Sequence, residues 1–243
     1  MQLDKIKDQI ENNPWKTAIT IRKNNQTIFQ NGETNSTFKA ASLIKLGIAL
    51  YIQEEVPNSV NDIITLSSND IVGGAGIINR LSLRTWKISD LLDLMLSLSD
   101  NTAANALLRH YNLNVINTFL QKNYQDITLG RFLMTKSTKE NICSSNAIMD
   151  VFEDLFAGNN QVNKVVLDAL KHQQVRNKLV AYSNQKFQTF NKTGELVHEQ
   201  HDIARFKTGT DTIDCCILTN YQKPNDYEKI LNMMQNVGKI LTH

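Results

Sequence analysis

Residues 43–52 read Leu-Ile-Lys-Leu-Gly-Ile-Ala-Leu-Tyr-Ile, and no other stretch constrains the fold as much. Leu43, Ile44, Leu46, Ile48, Ala49, Leu50 and Ile52 leave a helix here almost no polar face. A helix that is apolar all round must be enclosed by other elements. The chain therefore needs a helical layer thick enough to surround it. Amphipathic helices are expected over 89–98, 102–111, 145–156 and 163–171. Strand-like runs stand outside this block, at both ends of the chain. Residues 17–22 and 27–30 are joined by Lys23-Asn24-Asn25-Gln26, an Asn-rich hairpin signal. Strands return at 187–192, 202–206 and 213–219. A short helix over residues 3–12 opens the chain. A longer one over 226–241 closes it, with Ile230, Leu231, Met234, Val237 and Leu241 on one side.

This order predicts an α+β fold: one antiparallel sheet from the early and late strands, flanked by the terminal helices, with an inserted all-helical lobe. Residues 1–40 together with 178–243 would form the α/β lobe and residues 41–177 the helical lobe. A functional site is expected between the lobes, drawing residues from both.

Composition narrows the function classes. The 243 residues are 41% hydrophobic and 21% charged, which is a globular balance. Twenty-six basic against 24 acidic residues give a net charge of +2, so no nucleic-acid or anionic-membrane partner is expected. No apolar run reaches the length of a membrane span. Cys143, Cys215 and Cys216 are an odd set with two adjacent members, not a disulfide framework. No metal-ligand spacing is present, so no metal is expected.

Chemistry is carried by three short motifs. Ser42 and Lys45, three apart at a helix start, share one face about a turn from each other. A lysine whose pKa is lowered by burial or a second cation can take the serine proton and make it an acyl-transfer nucleophile. Ser99-Asp100-Asn101 lies between two helical segments; the same triplet is also a good helix cap. Lys192-Thr193-Gly194 ends a predicted strand and could equally lead into a turn. A second such triplet, Lys207-Thr208-Gly209, lies between two strands and reads as a hairpin turn with Lys207 in solvent.

Occurring together in this order, the three motifs resemble those of class A β-lactamases and penicillin-binding proteins. The likeness extends through Glu195-Leu196 and His201-Asp202-Ile203-Ala204, which resemble the third-strand motif and following strand of members from Gram-positive bacteria. Residues 70–78 resemble a glycine-containing loop of these proteins, and Thr128-Leu129-Gly130-Arg131 the start of their Ω loop. The resemblance implies the β-lactamase/transpeptidase-like fold and an active site without a cofactor. It implies Ser42 as nucleophile, Lys45 as base, Ser99 as proton relay to the leaving nitrogen and Lys192 as the cation holding Ser99. Asn101 would bind a substrate amide and Thr193, beside Gly194, a substrate carboxylate. The backbone N–H groups of Ser42 and Glu195 would form the oxyanion hole.

Two departures from the family qualify these expectations. Class A β-lactamases carry an Ω-loop glutamate that activates the deacylating water. Here the matching positions hold Leu133, Met134 and Thr135, the loop looks short, and Glu140 is its sole acid. Many members also place an arginine on the strand after Lys-Thr-Gly, where this chain has Gln200 or His201, with Arg205 nearby. His201 is a candidate for the rim of the site. The expected activity is therefore a serine hydrolase or acyltransferase acting on β-lactams or related amides and esters, with slow deacylation. A covalent penicillin-binding or sensor module without turnover is the alternative. A small-molecule β-lactam, peptide or ester partner and a monomer are expected. Met1 as native start would imply a cytoplasmic chain; a removed signal peptide would imply a cell-surface or extracellular one.

Overall fold

The computed structural model describes residues 3–11 and 13–243. Along the chain, α1 (Leu3–Ile10) precedes the hairpin β1 (Lys16–Lys23) and β2 (Gln26–Gln30). A short strand β3 (Phe38–Lys39) and a 3₁₀ turn (Ala41–Leu43) lead into α2 (Ile44–Glu55). The small hairpin β4 (Ile63–Thr65) and β5 (Thr85–Lys87) precedes α3 (Ile88–Ser97), α4 (Asn101–Tyr111) and α5 (Leu113–Asn123). Then follow β6 (Ile142–Cys143), α6 (Ser145–Ala157), α7 (Gln161–Lys171), β7 (Gln188–Leu196), β8 (Glu199–Thr208), β9 (Asp211–Asn220) and α8 (Asp226–Thr242). Asn12, at the expected end of the first helix, lies outside the described residues.

The main sheet has five strands in the order β2-β1-β9-β8-β7, each pair antiparallel. Early and late strands thus form one sheet, as the sequence order predicted. Side chains alternate across it. Ala18, Ile203, Cys216 and Leu218 share a core with the helical segment, whereas Ile19, Ile21, Ala204, Phe206, Cys215 and Ile217 pack against α1 and α8. The same alternation separates the adjacent cysteines: Cys215 and Cys216 belong to opposite faces, and all three cysteines are free and buried.

α2 is buried continuously from Ile44 to Gln53, as its missing polar face required. Its Ser42 end differs from expectation, because Ser42 sits in the 3₁₀ turn just before the α-helix. Ala41 takes φ +49°, in the left-handed region that costs a non-glycine residue about 1–2 kcal/mol.

Three other differences have local causes. α5 was not anticipated: Val115, Ile116, Asn114 and Asn117 are poor helix formers. It is held by the Asn112 cap on the Asn114 N–H and by burial of Ile116, Phe119 and Leu120. On α8 the buried face includes Met233, while Leu231 is only half-buried. β7 runs on to Leu196, so Lys192-Thr193-Gly194 lies inside the strand. Pairing continues with Lys192 opposite Ile203 and Leu196 opposite Glu199. Of the second triplet, Lys207 and Thr208 end β8 and Gly209, at φ +53°, enters the β8–β9 turn; Lys207 is exposed as expected.

Candidate active site

Ser42, Asn101, Arg131, Leu133, Met134, Glu140 and Glu195 are among the residues lining a cavity of about 480 Å³. Its walls come from the Ser42 turn, the α3–α4 junction, the loop after Arg131 and the edge strand β7. Gly194 brings that edge close. A Cβ at this position would lie 3.2 Å from Ala41 Cβ and 3.3 Å from Ala40 O, so a larger residue would push β7 away from Ser42.

The α3–α4 junction is a helix cap whose flanking residues face Lys45. Asp100 is the N-cap of α4, accepting from Ala103 N at 2.9 Å. Its other oxygen accepts from Ile77 N at 2.7 Å and Ile78 N at 2.9 Å, tying the junction to the glycine-containing loop. Ser99, at φ +56°, and Asn101 face Lys45 from either side of this anchor. Asp100 caps, while Ser99 and Asn101 contact Lys45 and Asn101 also lines the cavity.

Lys45 Nζ makes four close contacts. It lies 2.7 Å from Ser99 O, 2.8 Å from Asn101 Oδ1, 3.1 Å from Ser42 Oγ and 3.1 Å from Ser99 Oγ. The orientation of the Asn101 amide follows from its Nδ2, which donates to Gly73 O at 3.1 Å. The two shortest contacts go to oxygens that can only accept. A neutral amine has two hydrogens and one lone pair, so these contacts use both hydrogens and leave the lone pair to the two hydroxyls. Complete burial, then repulsion from Lys192, lower the Lys45 pKa well below its ordinary value; Asp100 opposes the shift.

Lys192 Nζ donates to Ser99 Oγ and to Thr193 O, both at 3.0 Å. It too is fully buried, and burial brings its pKa down to about 7. Asp202 and Glu195 raise it and Lys178 lowers it further. Ser99 Oγ thus lies between the two amines. Thr193 is buried beside Lys192 on β7.

The loop after Arg131 is closed at its neck. Arg131 Nε meets Glu140 Oε1 at 2.7 Å, and Asn141 Oδ1 accepts from Gly130 N at 2.8 Å and Arg131 N at 3.0 Å. Burial raises the Glu140 pKa, but Arg131 and the Asn141 N–H outweigh it and hold the carboxyl below its usual value. Inside the loop, Asn105 of α4 grips the backbone of Leu133. Its Oδ1 accepts from Leu133 N at 2.8 Å and its Nδ2 donates to Leu133 O at 3.1 Å. Leu133 is buried, whereas Met134 is exposed at φ +60°.

His201 is not at the rim. β8 is an interior strand, and the imidazole is fully buried with Nε2 2.8 Å from Lys39 O and Nδ1 accepting from Thr219 N at 3.2 Å. Burial lowers its pKa to about 4, so it is neutral near pH 7. Gln200 is buried as well. Arg205 is bound to Asp214 at 2.7 and 2.6 Å and stacks on Phe156. None of the three brings a cation to the cavity.

Two participants escaped the sequence reading. Lys178 is a fully buried lysine beneath β7, with Nζ 2.9 Å from Glu195 Oε1 and 3.1 Å from His201 O. Nothing in its local sequence signals this. Asn105 did leave a signal, an asparagine amid the apolar residues of α4. Among the described residues, no group of three or more His, Cys, Asp or Glu side chains is arranged to hold a metal ion.

No curated protein sequence gives a significant match. Solved structures do share this fold. A β-lactamase from Sphaerobacter thermophilus is similar at 21% identity and TM-score 0.85, over 98% of this chain and 96% of its own. A class A β-lactamase from Mycobacterium abscessus is similar at 17% identity and TM-score 0.85, over 99% and 98%. PBP-A, as a leucine-to-glutamate variant in an acyl-enzyme complex with penicillin G, is similar at 15% identity and TM-score 0.84, over 98% and 94%. The sequence itself matches the family described as the β-lactamase enzyme family across residues 3–243. The chain belongs to that family and has its serine-hydrolase fold.

Proposed function

We propose that the protein forms a covalent acyl-enzyme at Ser42 with β-lactams or related amides and esters, and releases the acyl group slowly. The observation that carries this reading is the hydrogen-bond pattern of Lys45, whose two acceptor-only partners leave a lone pair for the Ser42 and Ser99 hydroxyls. Ser42 Oγ attacks the carbonyl carbon as Lys45 takes its proton. The backbone N–H groups of Ser42 and Glu195 receive the developing oxyanion, a contribution of about 3–4 kcal/mol per donor in comparable sites. The C–N or C–O bond then breaks. Ser99 hands a proton to the departing atom, resupplied from Lys45, while the Lys192 ammonium holds Ser99 in place. Asn101 and Thr193 orient the donor from opposite sides.

Slow release rests on the loop chemistry. Releasing the acyl group by hydrolysis requires a base for water. Leu133 has no titratable group, and Glu140, whose Oε1 accepts from Arg131 and Asn141 N, is held below its usual pKa and is a weak base. The PBP-A variant described above is itself an acyl-enzyme complex, so this fold accommodates such an adduct. The same features favour, as second reading, a covalent binder with no turnover.

A fluorescent penicillin and a chromogenic cephalosporin test both readings. Stoichiometric labelling with slow steady turnover is expected. Labelling with none supports the binder. Labelling that persists in Ser42→Ala refutes the nucleophile, and absence of labelling refutes acylation.

A further inference from the structure

The Glu195 carboxylate lines the cavity and has no part in acyl transfer. Oε1 lies 2.9 Å from Lys178 Nζ, with the lysine side chain wholly buried and the glutamate 45% exposed. The other acceptors around that ammonium are main-chain oxygens, His201 O at 3.1 Å and Gly194 O at 3.5 Å. Among the described residues, Glu195 is its only salt-bridge partner. Neighbouring cations are already engaged. Lys192 donates to Ser99 and Thr193, Arg131 is held by Glu140, and Arg205 is held by Asp214.

Glu195 lines the same cavity as Ser42. A donor whose carbonyl sits between Ser42 and the Glu195 backbone therefore has this carboxylate beside it. A negative group on that donor must displace Glu195 from Lys178 or lie next to it as a like charge. We infer that the Glu195 carboxylate is a specificity-determining internal competitor, occupying the Lys178 ammonium and biasing the site toward acyl donors with no anionic group beside the scissile bond. The inference rests on acylation at Ser42. A neutral ester or amide meets no such competition.

Penicillin G and its methyl ester form a matched pair, alike except for that charge. Acylation rate constants for both are read by intact-protein mass in the wild type, Glu195→Gln, Glu195→Ala and the double variant Glu195→Gln/Lys178→Met. The ratio of acid to ester is the readout, because a general loss of structure lowers both rates together. Glu195→Gln and Glu195→Ala are each expected to raise it about tenfold, the order of effect of one partly desolvated charge pair. The double variant is expected to return it to the wild-type value or below. An unchanged ratio in the two single variants overturns the inference, as does a rise that persists without Lys178. Absence of any adduct from either compound in every variant overturns the acylation reading, and this inference with it. Adducts with an unmoved ratio overturn the inference alone.

Discussion

Replacing Lys192 with arginine separates the two buried amines by their titration. Both lysines are fully buried, and each is more easily deprotonated than in water because burial penalises the charged form. Lys45 suffers the additional repulsion of Lys192, so it gives up its proton first. Acylation should therefore rise with pH as Lys45 becomes a free base. It should fall again as Lys192, near pH 7, loses the charge that holds Ser99. The two limbs belong to the coupled pair rather than to isolated residues. Two pH units above that midpoint only about 1% of Lys192 remains charged, so the rate at pH 9 should be roughly a hundredfold below its plateau. A guanidinium stays charged across this range. Lys192→Arg should lower the plateau, because its planar fork fits Ser99 differently, yet the alkaline limb should vanish up to pH 9 while the acid limb stays. The assay is the second-order rate constant for Ser42 labelling by a fluorescent penicillin from pH 5 to 9.5. An alkaline limb with the same midpoint in Lys192→Arg would refute the assignment, whatever the absolute rates.

Two further outcomes concern the loop. Leu133→Glu places a carboxylate on the buried backbone position that Asn105 fixes, and should shorten the acyl-enzyme lifetime at least about tenfold, the low side of general-base catalysis. Decay of the penicillin adduct by mass checks it, and an unchanged lifetime in a folded variant would reject Leu133 as the relevant position. Asn105→Ala leaves the buried N–H and C=O of Leu133 without partners, and should destabilise the fold by about 2–5 kcal/mol. Urea unfolding reads this directly; a change under 1 kcal/mol would mean that water replaces the amide.

Legibility followed the strength of local pattern. The apolar run of α2 and the strand–helix–strand order were readable because each reports burial directly. Polar residues in buried strands were not. On β8, Glu199, Gln200, His201 and Asp202 are all buried in succession, which the alternation rule does not anticipate. The rim position expected for His201 fails for that reason: the ring is buried, and Lys39 O and Thr219 N satisfy it. The three short motifs contain the residues grouped around Lys45, although β7 runs past the expected end of its strand. Lys178 and the Asn105–Leu133 clasp join residues 17 and 28 positions apart, and no local pattern encodes such pairs.

On the proposed mechanism, formation and release of the adduct depend on different parts of the molecule. Lys45, Ser99 and Lys192 stand on α2, the capped α3–α4 junction and the main sheet, and their side chains are buried or nearly so. Their hydrogen bonds can hold geometry without help from the loop. The loop is closed by Arg131, Glu140 and Asn141 at its neck, and Asn105 sets Leu133 against the cavity. The only acid of the loop is thus built into the closure that gives the loop its shape. Against the effect of burial, Arg131 and the Asn141 N–H share Glu140 Oε1 and hold the carboxyl below its usual pKa, which makes it a weaker base for water. A carboxylate at Leu133 would stand on a backbone that Asn105 holds, at a position that lines the cavity. Substitutions in the loop should accordingly move adduct lifetime, and substitutions around Lys45 its rate of formation.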